Sequence, residues 1–239
     1  MLASFKRLGM NIVGVEPASN IAALANESGL TTINAFFNNE VVMQILDAYG
    51  PASVVTANYM YANVDDVSGF TKNVAKLLTP EGIFVVQTGY HPEQMKINMF
   101  DYIYHEHFSY FTVEVLKNIY SKCGLELIHV EKIEPKGGSI RVVGQLENGN
   151  RIVDSSVEKT ISEEHQAGMR KLETFQKFSL ELAVLKRQLL DKLSQLKIAG
   201  KKIVGFGASH STTTLLYNFE IAQFIEYLVD DNEMKQGLY

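Results

Sequence analysis

Cysteine is nearly absent from this 239-residue sequence. Cys123 stands alone, which excludes an internal disulfide and a cysteine-rich zinc site. Basic excess is missing as well: the formal charge is -5 and the pI is near 5.7. Nucleic acid or an anionic membrane would need clustered Lys and Arg, so neither is expected as a partner, and a small molecule is. The amino terminus carries no stretch that reads as a signal peptide or membrane span, which predicts a cytoplasmic protein. Core material is abundant, since 46% of residues are hydrophobic, enough for one large or two modest globular domains.

The first half alternates between strand and helix patterns. Leu2 to Leu8 reads as a helix ended by Gly9, Asn11 to Val15 as a short strand, and Ala18 to Glu27 as a helix stopped by Ser28-Gly29. A strand over Leu30 to Ile33, a helix from Asn38 to Ala48 and a strand over Val54 to Ala57 follow. A helix opened by Asp65-Asp66 then runs to Leu78, and a Pro80-Glu-Gly82 turn leads into a strand over Ile83 to Val86. Apolar strands separated by helices predict an α/β fold with a parallel sheet covered on both faces. Ligands of such sheets sit beyond the strands' carboxyl ends. That position belongs to Glu16 and Pro17, to Asn34 through Phe37, to Ala57 and Asn58 with the stretch as far as Asn63, and to Thr88 through His91. An acid there can accept from ribose hydroxyls, and Phe36 or Phe37 can stack on an adenine, although a helix-start acid and core phenylalanines fit equally. The sequence opens inside the first helix, so the strand and glycine-rich turn that would hold a cofactor's other end are expected upstream, in a longer protein.

The stretch Phe100 to Phe111 sets Tyr104, His105, Glu106 and His107 in a row between aromatic flanks. Two histidines around a carboxylate serve a general base with its partner, or a metal with His91 as third ligand, or core hydrogen bonding. Beyond it, Thr112 caps a helix ended by Gly124. Leu125 to Val130 and Ser139 to Val143 read as an antiparallel pair joined through Pro135-Lys-Gly-Gly138.

Val13-Gly-Val-Glu-Pro17, Thr56-Ala-Asn58, Leu78 to Phe84, Tyr102 to Phe111 and Lys136-Gly-Gly-Ser-Ile-Arg141 together resemble the S-adenosyl-L-methionine (SAM)-dependent C-methyltransferases that include sugar 3-C-methyltransferases of deoxysugar biosynthesis. The resemblance implies a class I methyltransferase, Rossmann-like sheet closed by an antiparallel hairpin. It also implies a nucleotide-linked sugar as acceptor, His107 as base with Tyr104 and Glu106 in the acceptor pocket, and Glu16 on the cofactor's ribose. The cofactor set is then Glu16, Pro17, Phe36, Phe37, Ala57 and Asn58. The substrate set is Asn63, His91, His105, Ser209 and His210, and no metal is expected. Where such proteins commonly carry a histidine this chain has Asn63, which binds but cannot take up a proton. Their small cysteine-rich zinc domain is not in this sequence.

The tail keeps helical apolar spacing from Val157 to Leu196, with an expected break near Gly168. This predicts a helical linker, which also offers a homodimer surface. Lys201 to Ser209 and Ile225 to Asp230 then read as two strands of a second, partial Rossmann-like unit. Gly205-Phe-Gly207 with Asp230 suggests an NAD(P) site, but His210 occupies the third glycine position and would crowd the helix against the strand. The predicted division is 1–150 for the methyltransferase-like domain, 151–198 for the linker and 199–239 for the carboxyl-terminal unit. The alternative to an enzyme is a binding or dimerisation module on the same fold.

Overall fold

The computed structural model describes residues 1–237; Leu238 and Tyr239, the end of the expected last unit, lie outside the described residues. Helix α1 spans Leu2–Arg7 and leads to a two-residue strand β1 (Gly14–Val15). Then come α2 (Ser19–Glu27), β2 (Thr32–Ile33) and α3 (Asn39–Tyr49), whose first turn is held by Asn38 Oδ1 accepting from Val41 N at 3.0 Å. Strand β3 (Ala52–Asn58) precedes α4 (Val67–Leu77), which Asp66 caps through Gly69 N at 2.8 Å.

Strand β4 (Leu78–Gly89) is longer than the sequence predicts. The Pro80-Glu-Gly82 turn is absorbed as an irregularity in its pairing with β3, where Ala52 faces Leu78 but Val54 already faces Ile83. A short helix, α5 (His91–Lys96), was not legible in the sequence. Helix α6 (Val113–Lys122) begins at the expected Thr112 cap, and β5 (Leu125–Ile133) and β6 (Ser139–Leu146) form the expected antiparallel pair.

The sheet is in two pieces. Strands β1 and β2 pair in parallel by themselves, and the larger piece has the order β3-β4-β6-β5. Only β3 and β4 are parallel in it; β6 runs antiparallel to both neighbours. Side chains bridge what the backbone does not. Val13 and Val15 from the β1 side and Ala52 and Val55 of β3 pack against one apolar cluster built on Val41, Val42, Ile45 and Leu77. The main core gathers Phe84 and Val86 of β4, Ile140 and Val142 of β6, Leu116 and Tyr120 of α6, and Tyr61, all fully buried. Tyr120 stacks on Phe84 with centroids 5.6 Å apart, over Gly144, where a Cβ would come within 2.5 Å of its ring.

The expected long helix is two helices, α7 (Ser155–Gln166) and α8 (Leu172–Ile198). Gly168 stands between them at φ +72°, a left-handed conformation that ends α7. Strands β7 (Gly205–Phe206) and β8 (Leu228–Val229) pair in parallel around α9 (His210–Asn218). This unit packs on α8 through Leu193, Phe219 and Ile221, and Phe100 of the aromatic segment inserts into the same cluster, stacked on Phe219 at 4.6 Å. Among the described residues, no helix is long and apolar enough to cross a membrane.

Candidate active site

A cavity of about 370 Å³ lies beyond the carboxyl ends of β3 and β4. Asn63 and Tyr59 come from the β3 side, Thr88, Gly89 and His91 from the end of β4, and Tyr102, Tyr104, Glu106, His107 and Tyr110 from the aromatic segment; Lys136 and Ser211 close it. The wall is fixed locally by backbone bonds: Phe108 N and Ser109 N donate to the Ala62 carbonyl at 2.9 and 3.2 Å, and His107 N to Tyr104 O at 3.0 Å.

His107 Nδ1 lies 2.8 Å from the Tyr102 carbonyl oxygen. A carbonyl only accepts, so Nδ1 carries the proton of the neutral ring and Nε2 keeps its lone pair. Burial lowers the His107 pKa below its ordinary value, against the pull of that backbone bond. The Tyr104 ring leans on the imidazole with centroids 4.2 Å apart, and burial raises its phenol. These features suit a neutral base beside a proton donor at neutral pH.

His91 and Asn63 complete the polar lining. His91 Nδ1 bonds the Tyr102 hydroxyl; burial lowers the histidine and raises the phenol. Among the described residues, Asn63 Oδ1 is buried with no hydrogen-bond partner, at the lining of the cavity. A buried unpaired acceptor costs roughly 1–3 kcal/mol, a cost that a hydroxyl reaching it from the cavity would remove. Glu106 turns partly outward, with Oε2 3.5 Å from His210 Nδ1.

Several expected site residues sit elsewhere. His105 is exposed and does not line the cavity; it meets His210 edge-on at 6.0 Å. The segment is a series of turns, so His105 and His107 do not share a side as an extended strand would make them. Ser209 is consumed as the cap of α9, accepting from Thr212 N at 3.2 Å, and Ser211 takes the lining position. Phe37 is a core residue against Phe70 at 4.9 Å, not a stacking platform, because the helix after β2 turns it inward. Ala57 is likewise buried in the core.

The remaining cofactor candidates stand at the ends of β1, β2 and β3. Glu16 follows β1 and accepts from Ala18 N at 2.8 Å through Oε1. Asn34 Nδ2 donates to the carbonyls of Glu16 and Pro17, tying the ends of β1 and β2 together. Phe36 is 77% exposed beside them, and Asn58 ends β3. In the carboxyl-terminal unit the NAD(P) reading loses its acid, because Asp230 Oδ2 accepts from Ala208 N at 2.7 Å and pairs with Lys235. Among the described residues, no group of three His, Cys, Asp or Glu is placed to hold a metal ion. Tyr59, Tyr102, Tyr110 and Lys136 lie in stretches that the sequence marks, by position after a strand or by resemblance, without pointing to them individually; Ser211 carries no such signal.

Comparison with known proteins places these observations. Residues 1–130 match the methyltransferase domain family, and residues 134–239 match the C-methyltransferase C-terminal domain family. The chain is 32% identical over 237 residues to the C-methyltransferase NovU of Streptomyces niveus, covering 99% of this chain and 56% of that one. It thus spans little more than half the length of that relative. A ubiquinone biosynthesis O-methyltransferase of Rhodopseudomonas palustris is 34% identical over 85 residues, 35% of this chain and 33% of its own. A SAM-dependent methyltransferase from Archaeoglobus fulgidus superposes with a TM-score of 0.49 at 13% identity, over 60% of this chain and 80% of that one. With more than half of its residues matched to the family model, the chain belongs to the methyltransferase-domain family.

Proposed function

We propose that this chain is part of a SAM-dependent C-methyltransferase that acts on a carbon next to a carbonyl, in a nucleotide-linked keto-deoxysugar. The observation that carries the reading is His107 in the cavity, with Nδ1 committed to a backbone carbonyl and Nε2 free. The similarity to NovU supports carbon as the methylated atom.

The residues present fit the adenosine end of that cofactor. Among the described residues, one carboxylate oxygen of Glu16 has no side-chain or backbone donor on it, which suits a ribose hydroxyl, and the exposed Phe36 ring offers an apolar face for adenine. When bound, the cofactor supplies a methyl group on a sulfonium. The chain's own residues prepare the acceptor. His107 Nε2 removes the proton from the carbon beside the carbonyl, and the Tyr104 hydroxyl donates to the developing oxyanion. Asn63 Oδ1 and His91 fix the sugar's hydroxyls, while Glu106 with His210 shuts the cavity on the side of the carboxyl-terminal unit.

Isothermal titration of the full-length protein with SAM and S-adenosylhomocysteine is expected to release heat of binding, and no binding of either sinks the reading. His107→Ala is expected to lower kcat by about 10²- to 10⁴-fold, the usual share of a general base, with S-adenosylhomocysteine affinity unchanged. Parallel loss of both would make His107 structural.

Self-association through α8 belongs to the same reading. Leu180 and Val184, one turn apart, are 69% and 53% exposed, which supports a second copy as the helix's partner.

A further inference from the structure

Glu164 lies on α7, outside the cavity described above, yet it is a fully buried carboxylate at 1% exposure. Its three hydrogen bonds go to two places only. Oε1 accepts from the Tyr90 hydroxyl at 2.8 Å and from Val113 N at 2.6 Å, and Oε2 accepts from Glu114 N at 3.1 Å. Tyr90 is the residue after β4; Val113 and Glu114 are the first two of α6. Between those points runs the whole segment carrying His91, Tyr102, Tyr104, Glu106 and His107. At its neck Tyr90 and Phe111 form an isolated parallel bridge. Thr112 accepts from Val115 N, so side chains account for the N–H groups of the first three residues of α6, and the positive end of its dipole favours the carboxylate.

We propose that Glu164 is a positioning residue: a carboxylate clamp from α7 that holds both ends of the acceptor segment together and so sets where His107 and Tyr104 stand. The proposal rests on the methyltransferase reading for what the segment does, but not for how the clamp is detected. The geometry favours this role over simple core filling. A hydrocarbon of the same volume would fill the space, whereas only an acceptor with two oxygens answers one hydroxyl and two backbone N–H groups at once.

Glu164→Gln keeps the volume and removes one acceptor, and Tyr90→Phe removes one bond while leaving the carboxylate in place. Amide hydrogen exchange reads the outcome residue by residue in the full chain. The informative amides are Phe108 and Ser109, which donate to Ala62 O rather than to Glu164 or Tyr90. They are expected to exchange about 10-fold faster in Glu164→Gln, and by a smaller factor in Tyr90→Phe, with the β5 and β6 amides unchanged. The His107 imidazole resonances are expected to move in the same variants. Unchanged Phe108 and Ser109 exchange, or equal acceleration in β5 and β6, overturns the clamp. If Glu164→Gln does not fold, the same comparison in Tyr90→Phe decides. No readout requires methyl transfer, so a chain that shows the clamp but never binds SAM counts against the proposed function and not against the clamp.

Discussion

His107 owes its chemistry to one hydrogen bond and one burial. The Tyr102 carbonyl fixes which nitrogen is protonated, and burial keeps the ring neutral to lower pH than a free imidazole. A histidine pKa depressed on folding contributes stability above its unfolded value of about 6.5, and that contribution is lost as pH falls through the folded value. The proposed base is subject to the same titration. kcat/KM measured against pH is therefore expected to hold across neutrality and to drop only below about 6.5; an acid limb above neutrality would assign the base to another group. The same-chain neighbours Tyr104, Glu106 and His107 were legible because four polar groups among aromatics stand out in sequence. Position after a strand leaves both a core and a stacking role open for Phe37, because it does not tell which way a ring turns; here the ring meets Phe70. The sequence marks the turn at Ser209 but not its geometry: Ser209 caps α9, and Ser211, two positions on, lines the cavity.

At the level of elements, hydrophobic period and caps located the helices well, since Asn38, Asp66 and Thr112 each bond the backbone where the first turn needs it. Strand lengths were less legible, because β4 runs through a Pro-Glu-Gly turn signal that its pairing with β3 overrides. The stacking of α6 on the hairpin carries its own cost. Tyr120 is wholly buried, and among the described residues its hydroxyl has no partner. Tyr120→Phe removes that hydroxyl and keeps the stack on Phe84, so chemical denaturation is expected to show a variant as stable as the parent or more stable by about 1 kcal/mol. Destabilisation beyond about 1 kcal/mol would mean that the hydroxyl is hydrogen-bonded after all.

In the whole molecule, the carboxyl-terminal unit is joined to the acceptor wall by Phe100 on Phe219, by Thr214 Oγ1 on the Ile103 carbonyl at 3.1 Å, and by His210 near Glu106. Its outer face on α8 is the proposed self-association surface. Sedimentation velocity is expected to give a dimer for the chain and a monomer for Leu180→Glu with Val184→Glu; a monomer in both refutes that surface. The bond between Tyr90 and Glu164 spans 74 residues, which gives it a second meaning in time. Contacts between distant residues must first overcome loop closure, so they form late. The hairpin of β5 and β6 can pair locally, but the acceptor segment acquires its final ends only when α7 docks. During synthesis the cavity wall is therefore expected to stay unset until the chain is made well past the hairpin, so that the sheet folds before the cavity is complete.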